Sequence, residues 1–153
     1  MSLATTLMAA LALTSAGDTG WARFSARQAL SHLNIDVEIG TQVAGGEEIY
    51  WMRRTIQKPG RKTQISQVDA RSCPTMLASV RSLRDLPMPR PNVPLLNDEP
   101  INVTADGTGY SLTIPVAYPG AIPHDLTLTS NVGTPLAAWV DDALAALDAC
   151  MPK

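Results

Sequence analysis

Apolar and polar positions change period several times along the chain, and each change marks an element. Ile35, Val37 and Ile39 alternate with Asp36 and Glu38, the pattern of a half-buried strand continuing to about Val43. Ala44-Gly45-Gly46-Glu47 turns the chain, and Glu48 to Gln57 reads as a second strand. In Lys58-Pro59-Gly60-Arg61, Pro presets φ at the second position and Gly supplies the positive φ that a type II turn needs at the third. Lys62 to Ala70 then returns as a third strand, with Ile65 and Val68 apolar. Together these form an antiparallel meander.

The period then becomes helical. Ser72 is placed to cap a helix, Pro74 is tolerated in its first turn, and Cys73, Met76, Leu77 and Val80 share one face. Ser79 and Ser82 are expected to point away. Upstream, the mixed stretch from Trp21 to Leu33 fits a short helix capped by Ser25, with Ala26, Ala29, Leu30 and Leu33 on its inner face.

Residues 85–100 hold Pro87, Pro89, Pro91, Pro94 and Pro100, which forbid regular helix or central strand. This segment reads as an extended connector inside one domain, in preference to a polyproline ligand for a partner. Beyond it, Ile101 to Ala105 alternates, Asp106-Gly107-Thr108-Gly109 turns, and Tyr110 to Tyr118 alternates through Leu112, Ile114 and Val116. Pro115 on the opposite face implies an edge strand or a bulge. Leu126 to Thr129 gives a sixth strand. Thr134 caps a last helix with Pro135 at its first position. Leu136, Trp139, Val140, Ala143, Leu147 and Cys150 form its face, with Asp141, Asp142 and Asp148 outward.

The chain is therefore expected to be α+β, with a largely antiparallel sheet of about six strands. The order is three strands and a helix, the connector, then three strands and a helix, with both helices on one sheet face. Cys73 starts one helix and Cys150 ends the other, and the disulfide expected between them requires helices that run antiparallel.

At 153 residues the chain fits one domain, and 45% hydrophobic against 17% charged residues is the balance of a packed protein. A net charge of −2 argues against a nucleic-acid partner. The charge is uneven: residues 17–90 carry 11 basic and 7 acidic side chains, a balance of +4, and residues 91–153 carry 1 and 7, a balance of −6. Either the halves attract within the fold, or basic and acidic faces meet different partners.

An apolar run from Leu3 to Leu13 precedes Thr14-Ser15-Ala16, a small-residue site. The run is too short to span a membrane, and a signal peptide over residues 1–16 is expected, although no Lys or Arg precedes it. The alternatives are a start further upstream or an apolar N-terminal helix. Residues 17–153 would form the mature domain, without a transmembrane segment and without a cysteine at the cleavage site for lipid attachment.

The sequence offers little chemistry. His32 and His124 are the two candidates for base chemistry near neutral pH, and each reads more readily as a surface or structural residue. No nucleophile elbow, clustered metal-ligand spacing or redox CxxC is present, so no metal or cofactor is called for. Asp18-Thr19-Gly20 lacks the apolar strand of an aspartic protease site, and Asn102-Val103-Thr104 is only formally a sequon.

The best binding feature is the basic hairpin of Arg53, Arg54, Lys58, Arg61 and Lys62, a candidate site for anionic lipid heads, phosphate-bearing polymers or an acidic protein. A solvated turn that keeps a sheet edge soluble is the preferred account of the same charges, because surface charge at turns is common. The preferred reading is an exported, non-catalytic binding or interaction domain associated with the cell envelope, its partner an unidentified protein or envelope component. One alternative is a small secreted hydrolase using His124 or His32 as base. Another is a structural subunit of an oligomer, marked by an apolar patch around Tyr50, Trp51 and Met52 or Tyr110 and Tyr118.

Overall fold

The computed structural model describes residues 19–91 and 107–151. Six strands form one antiparallel sheet: β1 (Thr19–Gln28), β2 (Asn34–Ala44), β3 (Glu47–Gln57), β4 (Gln64–Asp69), β5 (Thr108–Val116) and β6 (His124–Ser130). Their spatial order is β4-β3-β2-β1-β5-β6. Helix α1 (Pro74–Ser82) follows β4 and helix α2 (Pro135–Asp148) follows β6. A 3₁₀ turn at Leu83–Asp85 closes α1. The signal peptide expected over 1–16, the strand expected at Ile101 to Ala105 and most of the proline-rich connector lie outside the described residues.

The meander is as its pattern predicts. Val37 and Ile39 are buried while Asp36 and Glu38 face the other way. At the β3–β4 turn Gly60 takes φ +68, and the Arg61 N–H donates to the Lys58 carbonyl at 3.1 Å. Those are the marks of the type II geometry that Pro59-Gly60 dictates.

Two elements differ from expectation. Trp21 to Leu33 is not a helix. Its first part is β1, the central strand, paired to β2 on one side and β5 on the other. Ala22, Phe24 and Ala26 turn to the core in period two, and the proposed cap Ser25 instead meets the Ser111 hydroxyl at 2.7 Å. Partners on both edges override a weak local preference for helix. The rest is a turn, closed by the Gln28 N–H to the Leu33 carbonyl at 2.9 Å, with His32 at φ +50 and Leu30 exposed. Thr108 and Gly109, expected in a turn, already belong to β5 and pair with Gln28 and Arg27. Among the described residues the order is thus four strands and a helix, then two strands and a helix.

Pro115 sits where its missing N–H is tolerated. The β1–β5 ladder ends at Arg23 and Thr113, because β1 shifts register between Gly20 and Ala22. Pro115 therefore has a strand partner only on the β6 side, opposite Asp125.

Both helices cover one sheet face. Phe24, Val37, Ile39, Met52, Leu112 and Leu128 from the sheet meet Met76 and Val80 of α1 and Leu136, Trp139, Val140, Ala143 and Leu147 of α2. The Phe24 and Trp139 rings stack edge to face at 5.1 Å. Thr134 caps α2 by accepting the Ala137 N–H at 3.1 Å. The cap of α1 is Cys73 rather than Ser72, since Asp69 engages the Ser72 N–H at 2.9 Å and its hydroxyl at 3.1 Å. Ser82 also departs from expectation: it faces α2 and accepts the Trp139 indole N–H at 3.0 Å.

Cys73 and Cys150 form a disulfide, with Cα atoms 5.6 Å apart. It joins the start of α1 to the end of α2, while Ser82 at the end of α1 reaches Trp139 in the first half of α2. The helices therefore run antiparallel, as the cysteine positions require. No helix among the described residues is long and apolar enough to cross a membrane.

Two expected outcomes follow from these contacts. Replacing both cysteines by Ala frees a closed segment spanning a sequence separation of 77. In the chain-entropy treatment this costs roughly 4–5 kcal/mol, which thermal unfolding would register as a fall in Tm of about 10 °C or more. A fall of only a degree or two would show that the bond adds little. The second outcome concerns Asp69, whose carboxyl is held below its usual range by the Ser72 N–H, helped by Arg71, against an opposing effect of burial. A depressed folded pKa contributes stability that is complete above the unfolded value and is lost as pH falls through the folded one. Asp69→Asn should therefore flatten the Tm profile below about pH 4. An unchanged acid limb would remove Asp69 from the account.

Candidate functional site

Strand alternation separates the five cations of the basic hairpin. Arg53 and Arg54 are neighbours in β3 and point to opposite faces. Arg54 lies opposite Val37 on the helix side, its side chain only 12% exposed, and ion-pairs with Asp148 at the end of α2. Its Nε is buried without a hydrogen-bond partner among the described residues. Arg53 turns to the uncovered face, ion-pairs with Glu38 and lies 5.1 Å over the Trp51 ring. Lys58, Arg61 and Lys62 surround the β3–β4 turn, exposed and without partners among the described residues.

The topology gives that turn a setting. One end of the sheet carries residues 29–33, 58–63 and 131–134, together with the entry into β5 at Thr108. Residues 29–33, 58–63 and 131–134 contain no carboxylate. Leu30, 82% exposed, projects from the connection nearest the cationic turn, roughly 10 Å away by strand spacing. The opposite end holds Glu47, Glu48, Asp69 and Asp125 at its strand termini, with Arg71 engaged by Asp69. The cationic turn and these acidic strand termini thus lie at opposite ends of one sheet, and since Glu47, Glu48 and Asp69 come from the basic half of the sequence, the ends do not follow the division between the two halves.

The uncovered face is polar throughout its centre. One row across the strands reads Gln67, Arg53, Glu38, Arg23, Thr113 and Thr127. The next reads Ile65, Thr55, Asp36, Ser25, Ser111 and Thr129. Trp51 is fully buried on this side, next to Gly40 in β2, which in turn pairs with Gly20 in β1. A Cβ at Gly20 would come within 2.1 Å of a Glu38 carboxylate oxygen, so a larger residue there would push the Glu38 side chain out of its present position. Glu38 folds down over that glycine, and Arg53 closes over Trp51. Beside this stack lies a cleft of about 780 Å³, lined by Arg23, Asp36, Glu38, Arg53, Thr113 and Asp125 among others.

The histidines are far apart. His32 stands in the turn after β1, at the basic end, and His124 opens β6 at the acidic end. Both are exposed, and neither has a hydrogen-bond partner among the described residues. Asp125 alternates away from His124 onto the uncovered face. Nor does a contiguous aromatic patch form: Trp51 and Met52 are buried on opposite faces and Tyr110 is buried, donating its hydroxyl to Asp141 at 3.1 Å. Burial, reinforced by that carboxylate, pushes the Tyr110 phenol up. Tyr50 and Tyr118 remain exposed. No group of three or more metal-ligating side chains gathers among the described residues.

The sequence missed the uncovered-face cleft. Arg23, Glu38 and Arg53 are 15 positions apart in sequence at each step, and only strand register makes them neighbours. Comparison with known protein families, curated proteins and solved structures finds no match to any of them.

The Arg54–Asp148 pair can be tested for whether it holds α2 against β3. Asp148→Ala should cost roughly 1–2 kcal/mol by leaving a buried guanidinium unpaired, with Asp148 itself well solvated. Arg54→Met, which removes the buried charge, should cost less than that in urea unfolding. Equal losses would mean that packing, and not charge, fixes this contact.

Proposed function

We propose that this chain is an exported, non-catalytic binding domain that associates with a polyanionic surface of the cell envelope through the basic end of its sheet. The observation that carries the reading is Lys58, Arg61 and Lys62 standing unpaired among the described residues at one end, where residues 29–33, 58–63 and 131–134 bear no carboxylate. Charges that serve the fold find partners here, as Arg53 and Arg54 do with Glu38 and Asp148. Three that find none are available to an external anion, each contributing about 1 kcal/mol near a charged surface. Acidic strand termini at the far end would orient the domain on such a surface. Export is supported by the Cys73–Cys150 bond, a type of link that persists in oxidising compartments.

Changing Lys58, Arg61 and Lys62 together to Ser should weaken association with isolated envelope membranes at low salt by about a hundredfold. The unmodified protein should itself be released as ionic strength rises to a few hundred millimolar. Undiminished, salt-insensitive association of the triple variant would overturn the reading.

A further inference from the structure

A charge account of the uncovered-face cleft leaves two groups over. Glu38 is taken by Arg53, and Asp36 faces Arg27 at 3.8 Å. Arg23 and Asp125 have no partner among the described residues, although both are exposed and line the same cleft. They sit two strands and two residues apart, since Arg23 pairs with Thr113, Thr113 with Thr127, and Asp125 lies two positions before Thr127. Strand spacing and rise place their Cα atoms roughly 12 Å apart. Both side chains project from the same sheet face, over a floor that carries the Thr113 hydroxyl.

We propose that this cleft binds a short zwitterionic peptide, with its terminal carboxylate on Arg23 and its terminal ammonium on Asp125. A guanidinium offers a planar fork that matches a carboxylate with two hydrogen bonds. A carboxylate is the complementary acceptor for an ammonium. An extended chain advances about 3.4 Å per residue, so three or four residues span the interval. The cleft has the volume of a small-molecule site. A simple anion is a poor fit, because Asp125 would face it unpaired, and a simple cation is a poor fit because of Arg23. The site lies on a different surface from the basic turn and does not depend on the envelope reading.

Titrating trialanine into isotope-labelled full-length protein tests the assignment by amide chemical shifts. Saturable shifts should centre on Arg23, Thr113 and Asp125. N-acetylated and C-amidated trialanine should each bind at least about tenfold more weakly, the effect of losing one charge-assisted contact. Arg23→Ser and Asp125→Asn should each produce a similar loss while keeping the wild-type Tm. Arg23→Lys, which retains the charge without the fork, should fall between. The triple variant at Lys58, Arg61 and Lys62 should bind trialanine normally, which separates this site from the basic end. The proposal fails if the three peptides bind equally, if inorganic phosphate shifts the same amides as strongly, if the shifts lie elsewhere, or if none saturates.

Discussion

Among the described residues, two helices of 9 and 14 residues cover a sheet six strands wide, and they lie on the same side of it. Most burial is therefore on that side, with Trp51 and Ile49 of β3 the exceptions buried on the other. The strands present mainly apolar residues to the helices and mainly polar ones to the other face, and a slip of one residue would exchange the two sets. Phe24, Val37, Ile39, Met52 and Leu112 hold that register from inside, and the Phe24–Trp139 contact locks α2 over the centre of the sheet. The disulfide keeps the two helices together as the cover. What the uncovered face displays is a direct product of the same alternation.

Several features could be read from local pattern because local chemistry decides them. Pro59-Gly60 makes its turn whatever surrounds it, and Thr134-Pro135 starts α2 with a capping hydroxyl and a preset φ. The cysteines could be paired because each falls on, or directly follows, an apolar stripe whose direction is known. Tertiary partners decided the rest. Ala22, Ala26 and Ser25 are small enough to suit a helix, and only strands on both sides make that segment a strand. Ser72 would cap a helix in isolation, but Asp69, held at the end of β4, engages it first.

The candidate sites divide along the same line. Lys58, Arg61 and Lys62 are contiguous around one turn and visible as a cluster. Arg53 and Arg54 look like part of that cluster, yet alternation sends one to each face and each acquires a carboxylate from another element. The cleft at Arg23 draws its residues from β1, β2, β3, β5 and β6. No linear pattern announces it, since its members become neighbours only through four strand registers.

The Cys73–Cys150 bond also changes what a break in the chain means. It encloses α1, the connector, β5, β6 and α2 in a single covalent ring. A backbone cut anywhere within that ring opens it without dividing the molecule. The cut pieces stay tethered where the start of α1 meets the end of α2. The bond would thus make a first cleavage in the ring survivable, with every strand still covalently attached to the others.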